Sequence, residues 1–256
     1  MNTMNRTQKL FSRCKAENRK ALIAKLAAGF PTMDFSVEAV DRIVEAGADI
    51  IVLDAPFSDP MSEGPAFRLA NQIALQNGAT LHSLLQACEE IRRRRPDAPL
   101  FLYSYFNVFL AFGMDELCRA CKRIGIDGLI VADMPVEMYD QAVPLCEKHG
   151  VGFVPIITSK TNIERAKTVL RKVGNLEATF FYSASLGGDI SQAKNAIDLP
   201  LAGDFEISGE SMEQIRNSSV DAVALGNVFM TPLTESPNEE GLNIIAKLAR
   251  EIRQSI

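Results

Sequence analysis

The sequence has 256 residues, 47% hydrophobic and 23% charged, which is enough to bury the core of one large α/β barrel or of two small domains. Its net charge of −5 disfavours a nucleic-acid or anionic-membrane surface, and no apolar run approaches the roughly 20 residues that span a bilayer. Five cysteines are an odd number, which disfavours a disulfide framework. With no apolar signal-peptide segment near the N-terminus, the expected location is the reducing cytoplasm.

Apolar, β-branched runs alternate with helical patterns along the chain. In chain order the sequence predicts a helix at Thr7–Lys15, a strand at Ala21–Ala27, a helix at Ser36–Glu45, a strand at Ile50–Asp54, helices at Ala66–Gln76 and Leu81–Arg94, a strand at Leu100–Tyr105, a helix at Met114–Ile124, a strand at Gly128–Ala132, a helix at Tyr139–His149, a strand at Val151–Ile157, a helix at Ile163–Val173, strands at Thr179–Ser183 and Leu201–Phe205, a helix at Glu210–Asn217, a strand at Ala222–Leu225 and a helix at Gly241–Ile256. Eight strands alternating with helices predict a single (β/α)8 TIM-barrel domain over residues 1–256, with an extra N-terminal helix. A doubly wound sheet is the alternative, but no GxGxxG motif follows the first strand.

Histidine and cysteine chemistry is disfavoured by context. The two histidines, His82 and His149, lie in helical patterns, which argues against Ser/His and Cys/His schemes. Cys118 and Cys121 form a CxxC pair inside a helical pattern, without a second cysteine pair or a nearby histidine. The sequence therefore predicts helix packing at this pair, and no metal site.

The loop after the second predicted strand carries the clearest polar cluster. Pro56 and Pro60 end the strand and stiffen the loop, because each fixes φ and lacks a backbone donor. Ser58, Asp59 and Glu63 follow. In a βα barrel, polar groups just after a strand lie on the face where chemistry is usually sited. A solvated loop is the alternative interpretation.

This loop and four other segments resemble the tryptophan synthase α subunit family. The matching segments, in chain order, are Glu45–Asp49, Pro56–Pro60 with Glu63–Pro65, Tyr105 with Asn107, Val131–Glu137, and the final strand ending in Gly226. The resemblance implies a TIM barrel that cleaves indole-3-glycerol phosphate to indole and glyceraldehyde 3-phosphate. It also implies no cofactor in this chain, and a partner β subunit that holds pyridoxal phosphate and receives the indole.

One member of the acid/base pair that the resemblance implies is missing. The family has a glutamate four residues before the first proline of the loop, where this sequence has Val52. The family aspartate just before Gly-Pro is Glu63 here, with the same charge on a longer stem. Asp54 is predicted to face the same side as Val52 and is a candidate substitute, displaced by ~7 Å along the strand. Tyr182 also matches a residue near the site and is a further catalytic candidate.

The phosphate region implied by the resemblance is altered too. Together, the substrate and phosphate regions comprise the positions of Val52, Tyr105, Gly188, Phe205, Glu206, Gly226 and Asn227. Asp204 and Glu206 replace two family glycines, and Asn227 replaces a serine. A carboxylate ~4 Å from a phosphate charge costs on the order of several kcal/mol at an intermediate dielectric.

Lys25, in the first strand, stands where the family has an apolar residue facing the indole. Three interpretations are open. Lys25 pairs with Asp54, Glu63 or Glu206 as a buried ion pair; or it is an amine for Schiff-base chemistry; or the strand phase differs and it lies on the surface.

The rim that would meet the β subunit is better preserved. Matching positions are Asp59, Pro60, Asn107, Asp133 and Pro135. The sequence therefore favours an α-chain-like barrel with weak or absent lyase activity that docks on a β-type partner and biases its conformation. The alternative is a working lyase that uses Glu63 with Asp54, or Lys25 with these carboxylates on a non-phosphorylated substrate.

Overall fold

The computed structural model describes residues 4–61, 63–158, 160–173, 179–183, 194, 198–207 and 211–256. Its elements in chain order are α1 (Arg6–Ala16), β1 (Ala21–Ala27), α2 (Met33–Glu45), β2 (Ile50–Asp54), α3 (Pro65–Gln76), α4 (Leu81–Arg94), β3 (Leu100–Ser104), α5 (Phe106–Phe112), α6 (Met114–Ile124), β4 (Gly128–Val131), a 3-10 helix (Val136–Gln141), α7 (Val143–His149), β5 (Gly152–Val154), β6 (Ile156–Ile157), α8 (Ile163–Val173), β7 (Phe181–Ser183), β8 (Leu201–Asp204), α9 (Ser211–Asn217), β9 (Ala222–Leu225), α10 (Asn227–Glu235) and α11 (Glu239–Ser255).

All described strands belong to one parallel sheet in the order β5-β4-β3-β2-β1-β9-β8-β7-β6. Its two ends, β5 and β6, are halves of the single predicted strand Val151–Ile157, interrupted at Pro155, which has no backbone N–H. The interrupted strand therefore closes the ring. The predicted (β/α)8 barrel with an extra N-terminal helix is confirmed, whereas a single domain over residues 1–256 stays a prediction.

The helices differ from the prediction at three places. Helices α5 and α10, each starting within two residues of a strand end, were not predicted. The helix predicted at Tyr139–His149 is instead a 3-10 helix followed by α7, with Pro144 in the first turn of α7. A proline is accommodated in a first turn but breaks a helix interior, which accounts for the division.

Strand side chains alternate between the barrel interior and the layer against the helices. Val52, Phe101 and Ile130 belong to the interior cluster, which Leu10 and Cys14 of α1 close from below. Their neighbours along the strands, such as Leu53 and Leu102, pack in the outer cluster with the helices. The alternation continues upward, so that residues two positions beyond the interior cluster point into the mouth of the barrel.

Three aspartates, each directly before a strand, join neighbouring strands at the base of the barrel: Asp49, Asp127 and Asp221. Each accepts a hydrogen bond of 2.8–3.0 Å from the backbone N–H of Leu22, Leu100 or Leu201, respectively. Each also pairs with a basic side chain, respectively that of Arg19, Arg92 or Lys194. These carboxylates tie neighbouring strands together at the base of the barrel.

The cysteines and histidines have structural surroundings. All five cysteines are buried and free, and Cys118 lies with its Sγ 3.8 Å from that of Cys146. The CxxC pair packs within α6, as predicted. His82 stacks on Phe112, and His149 is hydrogen-bonded to Asp115. In the described ranges no group of three His, Cys, Asp or Glu side chains is placed to hold a metal ion.

Among the helices in the part of the chain that the structure describes, none is both long and apolar enough to cross a membrane.

Candidate active site at the barrel mouth

The upper ends of β1, β2, β3, β7 and β8 bring polar side chains together above the apolar interior. Strand pairing sets Lys25 beside Val52, and Asp54 beside Tyr103. Lys25, Asp54 and Tyr103 are all buried, with Lys25 6% exposed. Asp54 and Tyr103 lie one level above Val52, and the Lys25 ammonium reaches up to them, so that the three side-chain ends form a layer there.

The ammonium of Lys25 lies at the centre of this layer. Its Nζ is 3.4 Å from Glu63 Oε1 and 4.0 Å from Asp54 Oδ2. It also lies 3.5 Å from the centroid of the Tyr103 ring and 5.0 Å from that of Phe67, in cation–π geometry. Of the three interpretations of Lys25, the buried ion pair with Asp54 and Glu63 matches this geometry.

Glu63 reaches the layer from the loop after β2. The hydroxyl of Tyr105 donates a hydrogen bond of 2.9 Å to Glu63 Oε2, and accepts one of 2.7 Å from the backbone N–H of Met61. Burial raises the pKa of Tyr105 to about 12, with Glu63 adding to the effect, so the hydroxyl stays protonated as a donor. Tyr105 precedes α5, so these bonds tie the loop after β2 to the start of that helix.

The pKa of Asp54 differs strongly from that of an ordinary carboxyl group. Burial raises its pKa to about 7; nearby Lys25 acts in the opposite direction, and Glu63 adds to the rise. Its Oδ2 accepts no hydrogen bond from any residue that the structure describes. Asp54 therefore gains or loses its proton near neutral pH, which suits a group that transfers protons.

A second pair, Tyr182 and Asp204, lies across the mouth on β7 and β8. The Tyr182 hydroxyl donates a hydrogen bond of 2.7 Å to Asp204 Oδ2. Burial and the neighbouring carboxylate raise the pKa of Tyr182 well above its usual value. Burial also raises the pKa of Asp204, against the opposing effects of Lys25 and of the Tyr182 hydrogen bond. Lys25 therefore interacts electrostatically with carboxyl groups on both sides of the mouth.

Val52 lies below this layer and is fully buried in the interior cluster. Asp54 follows it on the same face of β2, as strand alternation predicted, since its carboxylate lies 4.0 Å from the ammonium of Lys25. The position that the family resemblance gives to a proton-transferring glutamate thus holds an apolar side chain among apolar neighbours.

The ends of β8 and β9 form the region predicted to bind phosphate. Glu206 is exposed after β8, and its Oε1 accepts a hydrogen bond of 3.2 Å from Asn227 Nδ2, at the first residue of α10. A Cβ on Gly226 would come within 2.8 Å of the Phe67 ring, so only glycine fits there without rearrangement. Phe205 is half-buried between Asp204 and Glu206. A carboxylate thus stands beside a helix N-terminus, where an anionic ligand would otherwise be favoured.

Gly188, which was predicted to lie in the substrate and phosphate region, is outside the described residues. The predicted interface residues lie after β2, β3 and β4: Asp59, Asn107, Asp133 and Pro135 are exposed, and Pro60 is partly exposed. Asp133 accepts a hydrogen bond of 2.7 Å from the backbone N–H of Phe106 at the start of α5. On the same rim, Met61 is 76% and Leu110 56% exposed.

Two members of the cluster were missed by sequence reasoning. Tyr103 and Phe67 place their rings beside the Lys25 ammonium. An aromatic residue in a strand is usually a core residue, and Tyr103 is indeed buried. Tyr103 lies two residues after Phe101 in β3, and this spacing was the signal that both side chains face the barrel interior.

A closed parallel barrel with titratable side chains at the carboxyl ends of its strands defines a protein of the TIM-barrel class. Residues 11–252 match the model of the tryptophan synthase alpha chain family, and the chain belongs to that family. The alpha chain of Solibacter usitatus is 34% identical, covering 98% of both proteins, and that of Aquifex aeolicus is 26% identical over 98% of this chain and all of the relative.

Solved structures of tryptophan synthase chains superpose on this chain over almost its whole length. Subunit alpha of tryptophan synthase from Legionella pneumophila superposes with a TM-score of 0.90 at 27% identity, covering 99% of both chains. A chain of the M. tuberculosis tryptophan synthase, in an open form, superposes with a TM-score of 0.88 at 28% identity over 98% of both. Alpha chains of this family carry no cofactor; pyridoxal phosphate belongs to the beta chain, with which alpha homologues form complexes.

Proposed function

We propose that this chain is an α-chain-like subunit with weak or absent cleavage of indole-3-glycerol phosphate, which docks on a pyridoxal-phosphate-dependent β chain and biases its conformation. The observation that carries the proposal is the replacement of the strand-2 acid/base by the fully buried Val52, with Lys25 paired to the nearest carboxylates above it. A valine has no proton to transfer.

The second carboxylate of the expected pair is already engaged. Glu63 is held by the Lys25 ammonium at 3.4 Å and by the Tyr105 hydroxyl at 2.9 Å. A general base must come within about 2.6–3.2 Å of the proton that it removes. Binding of a substrate hydroxyl at Glu63 would therefore compete with two existing contacts, which supports a loss of rate.

The charges at the ends of β8 and β9 support the loss of phosphate binding. Glu206 accepts a hydrogen bond from Asn227, the first residue of α10. Asp204, two residues before Glu206, accepts one from Tyr182 inside the mouth. A phosphate placed there would meet carboxylates at close range, at a cost on the order of several kcal/mol at an effective dielectric constant of 20.

The rim supports retention of the docking role. Asp59, Asn107 and Asp133 present polar side chains there, beside the exposed apolar side chains of Met61 and Leu110. Large exposed apolar side chains rimmed by polar ones are typical of protein interaction sites. Docking alone shifts the β chain between open and closed states if the two states differ in affinity for this chain, without any chemistry in the barrel.

The five buried cysteines, all free, support a cytoplasmic location for this assembly.

The test is the rate of tryptophan formation from indole and serine by a β chain of the same source, measured with increasing amounts of this chain. The expected result is a saturable change in rate at the stoichiometry of a complex seen by analytical ultracentrifugation. No complex, and no change in rate at a tenfold excess, would overturn the docking proposal.

A second candidate, a working lyase, is favoured by one observation. Asp54 is at the mouth, with a pKa of about 7, which suits general acid/base catalysis at neutral pH. This candidate requires indole release from indole-3-glycerol phosphate that falls at least tenfold in the Asp54→Asn variant.

A further inference from the structure

The buried amine of Lys25 and the neighbouring carboxyl of Asp54 have no role in the proposed docking function. We propose that the barrel mouth is a carbonyl-binding site, in which Lys25 forms an iminium with a small, uncharged, hydroxyl-bearing ketone or aldehyde. The proposal does not depend on whether indole-3-glycerol phosphate is cleaved.

Lys25 is held in the mouth as an ammonium group, which becomes a nucleophile when Asp54 takes one of its protons. The side chain is 6% exposed at the top of the barrel, with its Nζ over the ring of Tyr103 and beside that of Phe67. A lysine removed from bulk water serves Schiff-base chemistry when a neighbouring base takes its ammonium proton. Because β1 pairs with a strand on both sides, the backbone of Lys25 is held at a fixed depth in the barrel, and only the side chain moves.

Asp54 supplies the proton transfers that this reaction needs. Its Oδ2 lies 4.0 Å from the Lys25 Nζ and has no hydrogen-bond donor among the described residues. Its pKa of about 7 lets it take up and return a proton at neutral pH. A movement of about 1 Å by the flexible lysine stem brings the two groups into hydrogen-bond range.

The reaction balances without an oxidant or reductant. The ammonium passes one proton to Asp54, and the nitrogen lone pair attacks the carbonyl carbon while the C=O π electrons move to oxygen. Asp54 passes that proton to the oxygen and then accepts a second proton from the nitrogen, which leaves a neutral carbinolamine. Protonation of the hydroxyl by Asp54 releases one water as the nitrogen lone pair forms C=N⁺. The sum is ammonium plus carbonyl giving iminium plus water.

The charges of the mouth select the class of ligand. The carboxyl groups of Asp54, Glu63 and Asp204 disfavour a phosphate or carboxylate on the ligand. The Tyr182 hydroxyl donates to Asp204 and keeps its oxygen lone pairs as acceptors for a ligand hydroxyl group, and Asp54 Oδ2 is a second acceptor, without a donor among the described residues. A short hydroxylated ketone or aldehyde satisfies both conditions.

The test uses the unmodified protein with dihydroxyacetone and sodium cyanoborohydride at neutral pH. Cyanoborohydride reduces an iminium to a stable secondary amine, and peptide mass spectrometry locates the modified lysine. The internal comparison is Lys247, whose side chain is 76% exposed. We expect Lys25 to be labelled at least tenfold faster than Lys247. Labelling of Lys25 no faster than that of Lys247 would overturn the proposal.

Two further arms assign the roles. Asp54→Asn, with its fold checked by circular dichroism, is expected to lower the labelling rate of Lys25 at least tenfold; an unchanged rate would remove Asp54 from the mechanism. Dihydroxyacetone phosphate is expected to label Lys25 at least tenfold more slowly than dihydroxyacetone. Equal rates would overturn the preference for an uncharged ligand.

Discussion

The carboxylates at the two ends of the barrel have opposite surroundings. At the base, Asp49 receives a backbone N–H and two N–H groups of Arg19, at 2.8–3.0 Å. At the mouth, Asp54 has only the 4.0 Å approach of Lys25 at its Oδ2, among the residues that the structure describes. The difference indicates that base carboxylates stabilise the barrel, whereas Asp54 at the mouth is left available to a ligand.

Removal of a base carboxylate is expected to have the largest effect. Asp49→Ala leaves the buried guanidinium of Arg19 and the N–H of Leu22 without their acceptor. We expect the free energy of unfolding, measured by urea denaturation, to fall by about 3–5 kcal/mol. Asp49→Asn is the matched control and should lose less, because its amide oxygen still accepts a hydrogen bond. A loss below about 1 kcal/mol for Asp49→Ala would contradict the role assigned to the base.

Asp54 is expected to make the stability of the folded chain fall as the pH rises. Its pKa in the folded protein, about 7, is above the ordinary value of 3.8, so the folded state holds the proton more tightly than the unfolded state. Its contribution to stability is therefore full below about pH 4 and is lost as the pH rises through 7. Relative to wild type, Asp54→Asn should gain about 2–4 kcal/mol between pH 4 and pH 8, at roughly 1.4 kcal/mol per unit of pKa shift.

Urea denaturation of both proteins at four pH values measures this gain. A constant difference between the two proteins across the range would contradict the raised pKa of Asp54.

Restoring the missing groups is expected to bring the mouth closer to an active lyase. Val52→Glu with Glu206→Gly supplies a proton-transferring group and removes a charge from the phosphate region. We expect indole release from indole-3-glycerol phosphate to rise about 10- to 100-fold over wild type, at the lower end of what general acid/base catalysis contributes. Val52→Gln with Glu206→Gly is the control of equal size without the carboxyl. If the folded double variant releases no more indole than wild type, the site has diverged beyond these two positions.

The smallest effect is expected at the rim. Leu110→Asp places a charge on an apolar side chain that is 56% exposed, and should weaken binding to the β chain about tenfold, or ~1.4 kcal/mol, in a calorimetric titration. Leu75→Asp, at the far end of α3, is the matched control on a 38% exposed leucine and should leave the affinity unchanged. Equal effects of the two substitutions would argue against a docking surface at the rim.

Local patterns in the sequence predicted most of the barrel. Apolar runs located the strands, and strand alternation put Asp54 on the same face as Val52, which its approach to Lys25 bears out. Helix α10 was missed because Pro232 lies inside it, and a proline normally signals the end of a helix. Helix α5 is a seven-residue, all-apolar-or-Asn segment without a helical stripe to recognise.

The contacts of the site were harder to predict because they join distant positions. The hydrogen bond from Tyr105 to Glu63 spans 42 residues, and that from Tyr182 to Asp204 spans 22. Periodicity shows which face a side chain occupies, but not which side chain it meets across the barrel. The charge of Lys25 on a buried strand indicated that acidic partners are needed, and three candidates were proposed; only the folded chain selects Glu63 and Asp54 among them.

The measurement that tests the account most directly is indole release from indole-3-glycerol phosphate, by the purified chain alone and saturated with a β chain. We predict no indole above the background of the β chain and buffer, and the same result for Asp54→Asn. Turnover well above that background, lost in Asp54→Asn, would contradict the account and establish that Asp54 has taken over the role of the missing strand-2 glutamate.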